Sequence, residues 1–226
     1  MTRFEGFRPK VREWFRGLEA DNSREYFAAT RDFFEESIRE QMEALLTELS
    51  ATFGGEVKMF RQNRDIRFSR DKSPYKSNTY GVLRGSDIAA EGLYASVSAE
   101  GLVAGSGYHM MARDQLDRYR ERVADQKSGL ELANLVGRAQ SAGLELWGQT
   151  LATAPRGYPI DHERIELLRR KSLALGQRLK FGRGISREGG LELVTETWRA
   201  AAPVTGWLDA HVGASTLPVD RVRRRR

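Results

Sequence analysis

The chain holds no cysteine. That removes disulfides, thiolate catalysis and cysteine-ligated metals together. Its three histidines, His109, His162 and His211, lie far apart and form no HxxxH pair, so neither a metal site nor a cofactor is expected. No apolar run reaches about 18 residues, the length a bilayer-spanning helix needs, so no membrane partner is expected. The opening residues, Met1-Thr2-Arg3-Phe4-Glu5, lack the apolar segment of an export signal, which makes the cytoplasm the expected setting. Gly105-Ser106-Gly107 and Gly182-Arg183-Gly184 extend to neither GxGxxG nor a phosphate-binding loop ending in Lys-Ser/Thr and read as turns. Ser69 and Ser73 stand in no GxSxG elbow. Glu91, Glu100 and Glu145 are scattered and give no paired-carboxylate signal. No catalytic motif is therefore present.

What remains is globular. Of 226 residues, 40% are hydrophobic and 30% charged, enough for a proper core and against wholesale disorder. The formal net charge is +6, but its distribution is uneven. Residues 58–76 carry +5 and residues 220–226 carry +4, which leaves the rest at −3. This is a mildly acidic body with two concentrated basic elements, and concentrated charge focuses field at one place.

Apolar spacing of three and four predicts a helix over 8–19 (Val11, Trp14, Phe15, Leu18) and a long helix from about 25 to 53. Asn22 with Glu25 three residues later resembles a capping box at its start, and Gly54-Gly55 ends it. From Val57 the period changes to two. Val57–Phe60, Ile66–Ser69, Thr79–Leu83, Leu93–Ser98 and Leu102–Ser106 read as strands, with Ala99-Glu100-Gly101 a hairpin connection. Residues 114–124 and 130–142 read as helices punctuated by Gly129 and Gly143, Asp161 as the cap of a helix, 172–180 as a strand in preference to a continuation of that helix, and 187–211 as one or two helices interrupted near Pro203. The strands are too close together for crossover helices. The expectation is an α+β fold of N-terminal helices, a central, mainly antiparallel sheet and C-terminal helices. It forms a single domain over 1–215, with a basic, flexible tail at 216–226.

Function concentrates in residues 58–76. If 60–69 is extended, side chains alternate. Phe60, Ile66 and Phe68 face the core, with Gln62 and Arg64 near the end of that face. Arg61, Asp65, Arg67 and Ser69, with Asn63, face outward. Residues two apart on a strand lie about 6.6 Å apart. That spacing suits several side chains converging on one oxyanion, and equally suits Asp65 bridging both arginines. In Asp71-Lys72-Ser73-Pro74-Tyr75-Lys76, an Asx turn and a proline would hold Lys72 and Lys76 in place. Guanidinium forks bind phosphate and carboxylate bidentately.

The run Arg64-Asp65-Ile66-Arg67-Phe68-Ser69-Arg70-Asp71-Lys72-Ser73-Pro74-Tyr75-Lys76 closely resembles the signature of an uncharacterised family of bacteria and fungi, a conserved domain of unknown function. Phe4-Glu5-Gly6-Phe7, Asn22-Ser23-Arg24-Glu25-Tyr26-Phe27, Pro155-Arg156-Gly157-Tyr158 with Asp161-His162, and Glu166-Leu167-Leu168-Arg169 are similar to other blocks of it. The resemblance covers roughly residues 4–210 and implies one domain. It carries no activity, cofactor or catalytic residue. Arg70 stands where lysine is expected, and the arginine-rich tail lies outside it.

Three functional expectations follow. The first is a pocket for an anionic, phosphorylated small molecule, bound and possible to turn over, built from Arg61, Asp65, Arg67, Ser69, Lys72, Tyr75 and Lys76 with Arg156 as a further member. The second is nucleic-acid binding by the basic segment and tail, sensitive to salt. The third is a structural or interaction domain whose Arg–Asp cluster staples strands internally.

Overall fold

A computed structural model describes residues 3–67, 69–85 and 92–217. Phe68, Glu91 and the basic run at 220–226 lie outside the described residues. The element order runs helices, sheet, helices: an α+β protein. The sheet has six strands in the order β1-β2-β3-β4-β6-β5. These are β1 (Glu56–Met59), β2 (Asn78–Arg84), β3 (Leu93–Ser98), β4 (Gly101–Tyr108), β5 (Glu145–Trp147) and β6 (Leu173–Lys180). The chain divides into two compact units. One takes in Met1–Ile88, Gly92–Ala104 and Gln177–Glu196, the other Ala89–Glu91, Gly105–Gly176 and Thr197–Arg226.

In the first unit, α1 (Pro9–Ala20) starts with proline at its first position, where the missing N–H costs nothing, and buries Val11, Trp14, Phe15 and Leu18. The single long helix expected from the 25–53 pattern is instead segmented. α2 (Arg24–Ala29) and α3 (Arg31–Phe34) are followed by a π-helical turn at Glu35–Arg39, and α4 is Glu40–Phe53. Thr30 makes the break, its hydroxyl bonding back to the Tyr26 carbonyl (2.9 Å) while accepting the Trp14 indole N–H (2.8 Å). The cap of α2 is Ser23, which accepts from the Tyr26 N–H (3.0 Å), rather than Asn22. Gly17 is needed because a Cβ there would sit 2.2 Å from the Tyr26 hydroxyl, which bonds the Trp14 carbonyl. Strands β1, β2 and β3 form an antiparallel ladder, with Lys58 opposite Val82 and Tyr80 opposite Ser96. α4 buries Met42, Leu45, Leu46 and Leu49.

Ile66, Arg67 and Ser69 do not lie in a strand. The backbone from Phe60 to Ser77 leaves β1 and returns to β2 as an irregular arm. Asp65 accepts from the Arg67 N–H (3.3 Å) and Asp71 from the Ser73 N–H (2.9 Å), so side chains take amides that a ladder would have used. The expected Asx turn at Asp71 is present; the extended alternation through 69 is not.

The second unit has its own core, in which Tyr108, Tyr119, Leu132, Leu173, Leu208 and Trp207 are buried together. α5 (Arg113–Ala124) and α6 (Gln126–Ser141) contribute to it. Gly129 lies inside α6 rather than before it. A Cβ there would sit 2.0 Å from the Val123 carbonyl and 2.6 Å from Arg164 Nε, so the glycine admits a close approach instead of punctuating the chain. α7 (Ile165–Leu168) begins after Arg164, whose N–H donates to His162 Nδ1 (3.0 Å); Asp161 makes no cap. α8 (Arg187–His211) runs unbroken through Pro203. An interior proline costs roughly 3 kcal/mol, and burial of Ala201, Val204, Trp207 and Leu208 on either side of it outweighs that. Among the described residues, no helix is long and apolar enough to cross a membrane.

Candidate functional site

The arm from Phe60 to Ser77 is fastened at its root. Gln62 is buried, donates its amide to the Lys76 carbonyl and accepts from the Thr79 hydroxyl (2.9 Å). Lys76 N–H donates to the Gln62 carbonyl (3.0 Å) and Arg64 N–H to the Pro74 carbonyl (2.8 Å). These two bonds flank an antiparallel bridge between Asn63 and Tyr75. From outside the arm, Asn22 clamps the Tyr75 backbone with both ends of its amide, accepting from the N–H (3.0 Å) and donating to the carbonyl (3.1 Å). That bidentate grip is the role of Asn22.

At the tip of the arm Arg64, Arg67 and Lys72 find partners within the segment, while Arg70 is exposed and makes no side-chain hydrogen bond or ion pair among the described residues. Arg67 forks onto Asp65 (2.9 and 2.7 Å), and that hydrogen bonding holds the Asp65 carboxyl at about 2, below the usual carboxylate range. The pair is open to solvent, the two side chains being 76% and 48% exposed. Arg64 pairs with Asp71, whose carboxyl is likewise held low by Arg64 and then by Ser73. Among the described residues Asp65 hydrogen-bonds Arg67 and feels Arg61 only through its charge, rather than clasping both guanidiniums. Lys72 Nζ donates to the Ile66 carbonyl (3.0 Å), and Ser69, half-buried, closes a turn through its N–H to the same carbonyl (3.3 Å). Lys76 Nζ donates to the Arg61 carbonyl and lies 4.8 Å from the centre of the Tyr80 ring. Its pKa is lowered by burial and then by the Arg61 charge.

Beneath the root of the arm the balance reverses. An open groove of about 790 Å³ lies between the arm and the α2–α3 face. Arg61 and Tyr75 from the expected set line it, joined by Arg24, Arg31 and Arg39. Arg39 lies 3.9 Å from Glu35 and 3.6 Å from Glu43. Arg24, Arg31 and Arg61 are exposed and make no side-chain hydrogen bond or ion pair among the described residues. Among the described residues, Glu35 is the only carboxylate lining it. The walls carry Phe27, Phe34, Met59 and Phe60. The Tyr75 ring stacks on Phe27 (4.2 Å, 14° between planes). The π-turn that holds Glu35 and Arg39 sits directly on this groove, and such turns recur at functional sites.

A second hollow, about 470 Å³, lies on the other side of the arm and is lined by Glu19, Asn22, Arg64, Asp71, Lys76 and their neighbours. Its guanidinium is the one Asp71 already neutralises. Arg156 belongs to the second unit, in an exposed turn closed by the Tyr158 N–H to the Pro155 carbonyl (3.2 Å), and is not among the residues lining either hollow.

Sequence reasoning missed Arg24, Arg31 and Arg39. The signal was available. Positions 24, 31, 35 and 39 step by seven, four and four, which on the continuous helix that the sequence suggests would place them near one face beside the apolar stripe.

Among the described residues, no cluster of three His, Asp or Glu side chains is arranged to hold a metal ion. No curated protein matches the chain. Residues 10–207 match the model of a family described as a conserved hypothetical protein (DUF2461), and the chain belongs to that family.

Proposed function

We propose that the first unit binds an anionic, phosphorylated small molecule in the groove between the arm and α2–α3. One observation carries this reading: three guanidiniums, Arg24, Arg31 and Arg61, line one open groove and have no partner among the described residues. Arg24, Arg31, Arg39 and Arg61 outnumber the lining carboxylate Glu35; like charges in excess repel one another, and a bound oxyanion relieves that while taking their forked N–H groups. Asp65, Arg67, Ser69, Lys72 and Lys76 then support the arm instead of touching the ligand, whereas Arg61 and Tyr75 touch it. The groove's volume falls within the roughly 300–1,000 Å³ of small-molecule sites.

Calorimetry and melting curves with inorganic phosphate, sugar phosphates and nucleotides test the proposal. A bound anion raises the melting temperature by mass action. Arg31→Ala and Arg61→Ala are each expected to weaken binding about tenfold, the loss of one charge-assisted fork, and Arg67→Ala to leave it unchanged. No stabilisation by any of these anions, or an undiminished response in the Arg24→Ala/Arg31→Ala/Arg61→Ala triple variant, would rule the reading out.

A further inference from the structure

Resting on that anion reading, we infer that the ligand is a nucleoside phosphate, its phosphate held by Arg24, Arg31 and Arg61 and its base laid against Phe60 and Tyr75. The guanidiniums are only half of the groove; the other half is a set of rings whose positions are already fixed. Phe60 stacks on Tyr80 (4.6 Å, 19°), which leans on Tyr94 (5.6 Å, 42°). Tyr75 stacks on Phe27, which packs against Phe34 (5.0 Å, 54°). Phe60 and Tyr75 are half-buried and belong to the outgoing and returning limbs of the arm's root, Tyr75 being one partner of the Asn63–Tyr75 bridge. A ring anchored by a partner ring offers stacking surface with little entropy left to lose.

A free phosphate or pyrophosphate uses the arginines and wastes these walls. A bare sugar phosphate likewise has no flat face to lay on these rings. A flat heterocycle matches the rings instead. Asn63 also lines the groove, is exposed, and has a side-chain amide with no hydrogen bond among the described residues. An amide presents one acceptor and two donors, the complement of a base edge.

The test is calorimetry on the full chain at fixed ionic strength with ADP, adenosine, ribose 5-phosphate, pyrophosphate and dodecyl phosphate. ADP is expected to bind at least about tenfold tighter than ribose 5-phosphate and pyrophosphate, the scale of one base–aromatic stack. Phe60→Leu and Asn63→Ala should each reduce ADP affinity severalfold and leave pyrophosphate affinity unchanged. Asn63→Ala keeps the backbone bridge, so it remains informative if Phe60→Leu fails to fold. Pyrophosphate or ribose 5-phosphate binding as tightly as ADP overturns the nucleoside inference and leaves the anion reading intact. Dodecyl phosphate binding more tightly than ADP overturns it in favour of a lipid phosphate. Adenosine binding as tightly as ADP, or no ligand binding at all, overturns both.

Discussion

The tip of the arm and the groove at its root contain the same residue type under opposite treatment. At the tip, Arg64 and Arg67 each have a carboxylate within the same short segment, and Lys72 has a carbonyl. At the root, Arg61 meets Arg24 and Arg31 across a groove with no carboxylate bound to any of them among the described residues. Counting charge along residues 58–76 points to the whole segment; following each charge to its partner shows Arg64, Arg67 and Lys72 engaged and Arg24, Arg31 and Arg61 without a hydrogen-bonded or ion-paired partner among the described residues. The second unit holds the far end of the same scale. Arg164, its side chain only 6% exposed, donates to the carbonyls of Val123 (2.8 Å) and Ala124 (3.1 Å) and pairs with Glu163. An arginine can be a strut, a local clasp or an open fork, and its partners decide which.

That ordering is breakable, beginning with the strut. Arg164→Ala leaves buried carbonyls without donors and a void beside Gly129. It is expected to cost about 3 kcal/mol in urea unfolding, from several unsatisfied groups at roughly 1–3 kcal/mol each, with anion affinity unchanged. A loss under about 1 kcal/mol would erase the distinction between Arg164 and the arginines of the tip. Next comes the clamp. Asn22→Ala removes two partly buried hydrogen bonds to the Tyr75 backbone, worth about 2 kcal/mol together. Unlike Arg164→Ala, it should also weaken anion binding, because Arg61 and Tyr75 ride on the arm it fastens. Asn22→Asp keeps the acceptor and loses the donor, so it should fall between wild type and Asn22→Ala. Stability lost without any change in affinity would separate the arm from the site.

Much of the architecture was legible because period is a strong signal. β3 follows from alternation and α1 from the spacing of Val11, Trp14, Phe15 and Leu18, whereas 172–180, open between strand and helix in the sequence, is the strand β6. What misled were places where side chains compete with backbone. Thr30 bonding back to Tyr26 breaks a helix that its apolar stripe alone would continue. Asp65 and Asp71 take the amides of a segment that alternates like a strand. β5, three residues long, is too short for any periodicity to register. The proposed site was half legible. Arg61 and Tyr75 came from the dense basic run. Arg24 and Arg31 were hidden because attention to a helix's apolar face passes over the cations rimming it. Asn22 looked like a cap because its chemistry suits one, yet the partner it satisfies is 53 residues away, which no local pattern reveals.

The smallest effect expected is at the tip, and its pH dependence shows what kind of contact it is. Asp65 is held at about 2 by its Arg67 fork, against an ordinary value of about 3.9. A folded-state pKa below the unfolded one means the unfolded chain binds the proton more readily. The stabilisation is therefore complete above the unfolded value and is lost as pH falls through the folded one. The gap in melting temperature between wild type and Asp65→Asn should be constant from pH 7 to about 5, shrink below about 4 and close near about 2. High salt should narrow it at neutral pH, because the pair is exposed. A gap as large as that of Asn22→Ala would mean the tip is a strut after all. A gap that widens in acid would mean Asp65 is stabilised in its protonated form, contrary to the fork that Arg67 makes.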